Sequence, residues 1–230
     1  MGKLIVALDL DEKRKIYDLI EKLGNKIDFF KVGWVAYLTC GDEIIKRLKK
    51  EKKKIFIDFK FFDIPNTTKN ATKIICENEI DMFTFHLMAG KEVMKNIVEI
   101  KKKMKSNTKA IGVSVLTSFT QDDIEFLGIK LSIAQLVEKL VKKGYEIGID
   151  GVVCSGEELE NLRKKFSSPF LLITPGIRIS EKKDDQKRII TPKQAIKKGA
   201  DYIVIGRPIY ESSKPVEVVE RILKEIENGK

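Results

Sequence analysis

The sequence predicts an α/β protein of the (β/α)8 or TIM-barrel class, folded as a single domain over residues 1–230. Three observations lead there. Short β-branched or aromatic runs alternate eight times with longer segments of helical period. The runs are continuously apolar rather than alternating, as in strands buried on both faces. Polar groups collect at their C-terminal ends, the side on which a barrel builds its active site. A doubly wound open sheet is the alternative, but no G-x-G-x-x-G follows an early strand.

The elements read in order as strand then helix. Leu4–Asp9 is an apolar run closed by an acid, and Asp11–Leu23 follows with helical spacing. Phe29–Gly33 is succeeded by Glu43–Glu51, Lys54–Lys60 by Thr67–Glu79, and Met82–His86 by Lys91–Lys105. The fifth strand is read as Ala110–Leu116. Its helix, Ser132–Lys143, opens on Ser132 with Gln135 three residues later, the spacing of a capping box. Gly151–Ser155 precedes Gly156–Lys165. Leu171–Gly176 precedes Pro192–Lys198, where Thr191 is placed to cap and Pro192 to occupy the first helical position. Tyr202–Gly206 and Pro215–Glu227 complete the series. No Pro/Gly/Ser-rich linker interrupts it.

Composition narrows the function classes. Hydrophobic residues make up 43% of the chain, enough for a packed core and too many for disorder. No apolar run approaches the roughly 18–20 residues of a membrane span. The apolar stretch near the start is too short for a secretory segment. Cys40, Cys76 and Cys154 are odd in number, far apart and without metal-ligand spacing, which fits a reducing cytoplasm. Lys+Arg exceeds Asp+Glu by 44 to 34, a net charge of +10. The lysines fall in helix-like runs such as 46–54 and 101–105, so they read as a solvated surface. No nucleic-acid-binding module accompanies them.

The strand ends carry the chemistry. Asp9 closes the first strand, Lys31 lies in the second, and the third ends in Asp58-Phe59-Lys60, with Asp63-Ile64-Pro65-Asn66-Thr67 next. With a strand period of two, Asp58 and Lys60 project to one side, about 7 Å apart along the strand. Ionisable groups gathered at strand ends are costly unless they pair, and alternating signs would keep each lysine charged and fixed. At the other end of the chain, Thr174-Pro175-Gly176-Ile177-Arg178 and Ile205-Gly206-Arg207-Pro208 close strands seven and eight. Loops after these strands often bind phosphate in barrels, with glycine allowing backbone approach and arginine offering a bidentate fork. The polar stretch Ile179–Ile190 reads as a lid beside that site, and Gln186 is its candidate ligand contact. His86, the single histidine, reads as a hydrogen-bonded structural residue. Nothing supports a serine or cysteine hydrolase.

The segment DFKFFDIPNT at 58–67 resembles the signature of the orotidine 5′-phosphate decarboxylase family, within the D-x-K-x-x-D barrel superfamily. The likeness extends through VALD at 6–9, KVG at 31–33, VLTS at 115–118, GVVCS at 151–155, TPGIR at 174–178, DDQKR at 184–188 and GADYIVIGRPI at 199–209. The resemblance implies decarboxylation of orotidine 5′-monophosphate to uridine 5′-monophosphate in pyrimidine synthesis, with no metal and no cofactor. It implies Lys60 as proton donor to C6, Asp58 against the substrate carboxylate, and Lys31 and Asp63 completing the charged array. Asp9 would bind ribose hydroxyls and Thr117 would lie near the base. Arg178, Gln186, Gly206 and Arg207 would surround the phosphate. It also implies a homodimer in which Asp63 and Thr67 reach the neighbouring subunit's site. One departure is visible: the family commonly has His where this chain has Phe62. Sister enzymes of the superfamily act on sugar phosphates with Mg²⁺ and carry an acid near the end of strand two. Lys31 occupies that region here and argues against a cation.

Overall fold

The structure is a computed structural model that describes residues 3–178 and 190–229. Gln186 and the stretch 179–189 read as a lid lie outside the described residues. The strands are β1 (Leu4–Ala7), β2 (Phe29–Gly33), β3 (Lys54–Phe61), β4 (Met82–His86), β5 (Lys109–Val113), β6 (Gly151–Val153), β7 (Leu171–Thr174) and β8 (Tyr202–Ile205). They form a closed barrel in the order β1 to β8. The helices are α1 (Lys13–Leu23), α2 (Trp34–Cys40), α3 (Asp42–Lys50), α4 (Pro65–Glu77), α5 (Lys91–Lys103), α6 (Gln121–Phe126), α7 (Ile133–Ile147), α8 (Leu159–Lys165), α9 (Pro192–Lys197), α10 (Arg207–Tyr210) and α11 (Pro215–Glu227). The predicted barrel class is the observed one.

Within this chain two compact units are distinguished, Met1–Phe59 with Ile173–Lys230, and Lys60–Leu172. Their boundaries fall inside β3 and β7 rather than in linkers. In the first unit, β1 pairs in parallel with β2 and β8, and β2 with β3, in a register that sets Gly33 opposite Asp58. Leu4, Ile5, Val6, Phe30 and Phe56 are almost fully buried there. Helix α1 buries Ile16, Leu19, Ile20 and Leu23, an i, i+3, i+4, i+7 stripe that seats it in the core. In the second unit, β5 pairs in parallel with β4 and β6. Phe83, Phe85, Ile111 and Val152 fill its interior, and α4 packs on α5. A Cβ on Gly151 would stand 2.3 Å from the Leu171 carbonyl oxygen, so only glycine fits that approach.

Both predicted caps form. Ser132 and Gln135 make a reciprocal capping box on α7, and Thr191 and Gln194 make another ahead of Pro192. The sequence reading runs the fifth strand on to Leu116, but β5 stops at Val113. The apolar pair Val115-Leu116 belongs to the following loop, where the Phe119 amide donates to the Leu116 carbonyl. Helices α2, α6 and α10 are additions to that reading. They are seven, six and four residues long. Cys40, Cys76 and Cys154 are buried free thiols. No helix among the described residues is long and apolar enough to cross a membrane.

Candidate active site

The first unit holds a three-membered charge cluster. Lys31 lies on β2 with its side chain 10% exposed. Its ammonium donates to both carboxylate oxygens of Asp9, at 2.9 and 3.0 Å, and lies 3.3 Å from Oδ2 of Asp58. Asp58 is 12% exposed at the side chain and Asp9 39%. A buried ammonium is tolerated when its charge is matched, and two carboxylates match it here. The backbone sets this up. The Leu8 amide donates to the Lys31 carbonyl, and the parallel register puts Gly33 across from Asp58. A Cβ at Gly33 would sit 2.8 Å from Oδ1 of Asp9 and 3.2 Å from the Lys31 ammonium. The glycine of the KVG motif therefore makes room for the cluster.

Strand alternation settles β3 on both sides. While Asp58 meets Lys31, the next residue, Phe59, is sandwiched by α2. Trp34 stacks on it at 4.3 Å between ring centroids, and Tyr37 meets it edge-on at 5.1 Å.

Lys60 follows two residues after Asp58, but its backbone leaves the extended region. Its φ is +48°, a left-handed value for a residue with a side chain, inside a strand. Such a conformation costs roughly 1–3 kcal/mol and is found where surroundings hold it in place. The period-two argument from sequence thus stops at this residue. The Lys60 amide donates to the Thr84 hydroxyl of β4 at 2.9 Å. Two residues further on β4, His86 accepts the Met88 amide on Nδ1, which leaves the neutral ring's proton on Nε2. Burial lowers the imidazole below its ordinary pKa, and the positive charge of Lys60 adds to that. Phe62 stacks on the ring at 5.2 Å. The hydrogen bond that the sequence reading expects of His86 is present.

Asp63 and Thr67 are exposed and are not drawn into a cluster. Asp63 Oδ1 accepts the amide of Ile64, just ahead of Pro65 at the start of α4. Thr117 is exposed in the loop after β5. Past β7, Gly176 takes a left-handed φ of +75°. Ile177 then bridges to Ile190, and the Arg178 amide donates to the Ile190 carbonyl at 3.2 Å, joining the two ends that flank 179–189. Past β8, Gly206 caps α10, and a Cβ there would lie 3.1 Å from the Tyr210 ring and 3.2 Å from Ala7. Arg207 follows it and is exposed. Tyr210 escapes the sequence reading. Burial raises its phenol pKa, the charge of Asp9 raises it further, and Arg207 and Lys31 oppose that rise. The ring therefore lies within electrostatic reach of Asp9, Lys31 and Arg207. Its signal in the sequence is faint, a lone Tyr three residues after an I-G-R turn.

Residues 2–222 match the family described as "Orotidine 5'-phosphate decarboxylase / HUMPS family". The chain belongs to that family. It is 40% identical over 230 residues to a protein of Carboxydothermus hydrogenoformans named orotidine 5′-phosphate decarboxylase, covering 98% of this chain and 96% of that one. A relative of the same name from Dictyoglomus turgidum is also 40% identical, over 98% and 95% of the two chains. The crystal structure of orotidine 5′-phosphate decarboxylase from Lactobacillus acidophilus superposes with a TM-score of 0.86 at 35% identity, covering 97% of this chain and 98% of that one.

Proposed function

We propose that this chain is a carboxy-lyase that converts orotidine 5′-monophosphate to uridine 5′-monophosphate and CO2 in pyrimidine synthesis. It works as a single domain over 1–230, in a cytoplasmic homodimer, with no metal or coenzyme. The observation that carries the reading is the Asp9–Lys31–Asp58 cluster, in a chain of this family.

In the reaction, the bond between C6 and the carboxyl carbon breaks and CO2 leaves. The electron pair stays on C6 as an in-plane carbanion with no carbonyl π-system to spread into. A fixed ammonium is the group that stabilises such a charge, and Lys60 has that role. The same ammonium then gives its proton to C6 and is reprotonated from solvent. Lys31 holds Asp58 against the substrate carboxylate. Arg178, Gln186, Gly206 and Arg207 bind the phosphate, whose binding energy is spent on ordering the reacting end. Asp9 takes the ribose hydroxyls and Thr117 the base.

Asp63 and Thr67 serve the site of a second subunit. Their exposure supports this, as do the flanking Phe62 and Ile64, apolar yet 64% and 66% exposed. In the first unit Trp34, Val35 and Leu38 of α2 are likewise exposed apolar residues. Single apolar residues on a surface are ordinary, but an apolar pair bracketing a functional carboxylate fits a face covered by another chain. Lys31 bears against the Mg²⁺-dependent sugar-phosphate reading, since an ammonium already occupies the space between the two carboxylates.

The test is release of CO2 from orotidine 5′-monophosphate by the purified protein, before and after exhaustive treatment with EDTA, with Lys60→Ala as control. Metal-independent turnover that falls by at least about a thousandfold in the variant is expected. Undiminished turnover in Lys60→Ala would remove the lysine from the mechanism.

A further inference from the structure

Proton transfer asks Lys60 to hold its ammonium at one point, yet Lys60 is one of four non-glycine residues at positive φ among the described residues. A lysine at φ +48° has no glycine-like freedom to rest there, so something must hold it. Its amide donates to the Thr84 hydroxyl at 2.9 Å. Thr84 is fully buried on β4, directly across from Ile111 of β5. It is β-branched, so its χ1 is stiff and its oxygen is presented from a fixed place. Where a side chain points follows from φ and ψ at its own Cα. Returning Lys60 to the extended region would rotate its Cβ and swing the long side chain away.

We infer that Thr84 is a positioning residue for the decarboxylation. Its hydroxyl accepts the Lys60 amide and holds that residue in the left-handed conformation from which the ammonium reaches C6. The inference rests on the reading of Lys60 as proton donor. It adds a residue outside the charged array, one that touches the backbone of the catalytic lysine and acts through it.

The experiment compares Thr84→Val, which keeps shape and removes the acceptor, with Thr84→Ser, which keeps the acceptor and removes the methyl. Misplacement of a reacting group by about 1 Å costs on the order of a hundredfold. Thr84→Val should therefore lower kcat by about ten- to a hundredfold with KM within about threefold, while Thr84→Ser stays within about threefold of wild type in both. A wild-type kcat in Thr84→Val overturns the inference. So does equal impairment in Thr84→Ser, which would assign the effect to packing of the methyl, or a loss confined to KM. Should Thr84→Val fail to fold, amide hydrogen exchange on the wild-type protein decides. Strong protection of the Lys60 amide supports the bond, and exchange at the free-chain rate overturns it. Wild-type protein that releases no CO2, or a fully active Lys60→Ala, would fell the functional reading and this inference with it. A normal wild type beside an unaffected Thr84→Val fells this inference alone.

Discussion

Asp58 and Asp63 lie five residues apart and live in opposite surroundings. Asp58 is 12% exposed at its side chain and ion-paired to a lysine that is itself bracketed by a second carboxylate. Asp63 is exposed, accepts the amide of the next residue, and has an exposed aromatic before it and an exposed isoleucine after it. The difference is one of self-sufficiency. A carboxylate taken out of water must find its counter-charge within its own chain, whereas one left in water is available to a second chain. The first kind should be intolerant of change in stability and activity alike. The second should matter to activity while leaving the fold untouched.

Lys31→Met tests the intolerant side most severely. It leaves Asp58 and Asp9 without their shared cation, and should cost about 3 kcal/mol in urea unfolding as well as at least about a thousandfold in turnover. Gly33→Ala approaches the same cluster by crowding. The added methyl meets Asp9 and Lys31, so a loss of about 1–2 kcal/mol and about a hundredfold in kcat is expected. Asp63→Asn probes the other side. Its unfolding free energy should stay within about 0.5 kcal/mol of wild type while turnover falls. Mixing it with Lys60→Ala should then restore about a quarter of wild-type activity, because a two-fold dimer with shared sites regains one intact site in each mixed pair. Absence of restoration on mixing would place Asp63 in its own subunit's site and erase the contrast.

The mildest effect is a pH dependence at His86. Its pKa is lowered by burial and then by Lys60, so the unfolded chain takes up its proton first as pH falls. Stability should thus decline as pH drops below about 6.5, the ordinary imidazole value, toward the lowered folded value. Denaturation curves of wild type and His86→Gln across that window check the sign.

How much of this was legible beforehand differs by element. The barrel strands announce themselves, since LIVA, FFKVG and MFTFH admit few other readings. The capping box on α7 follows from side chains three residues apart, and the cap of α9 from Thr191 standing before Pro192. Strand ends are blurred because apolar residues continue into loops, as Val115-Leu116 do beyond β5. The sequence groups Lys31, Asp58, Lys60 and Asp63 as one charged array, since charges at the ends of apolar strands have to pair, but the partner that joins Lys31 and Asp58 is Asp9, and Asp63 stands apart. The left-handed backbone at Lys60 was hidden, because lysine gives no conformational sign as glycine does. Thr84 was hidden as well. A threonine inside an apolar strand looks like an ordinary β-branched filler until an amide is found pointing at it. Tyr210 reaches Asp9 and Lys31 through folding alone, about 180 to 200 residues away along the chain.

One histidine in 230 residues makes the protein its own reporter. The ring of His86 lies against Phe62 and senses the ammonium of Lys60. Its two carbon-bound protons belong to the single imidazole of the sequence, so their NMR resonances need no assignment among histidines. Whatever shifts that phenyl group or alters that ammonium, nucleotide occupancy included, will register in those two lines.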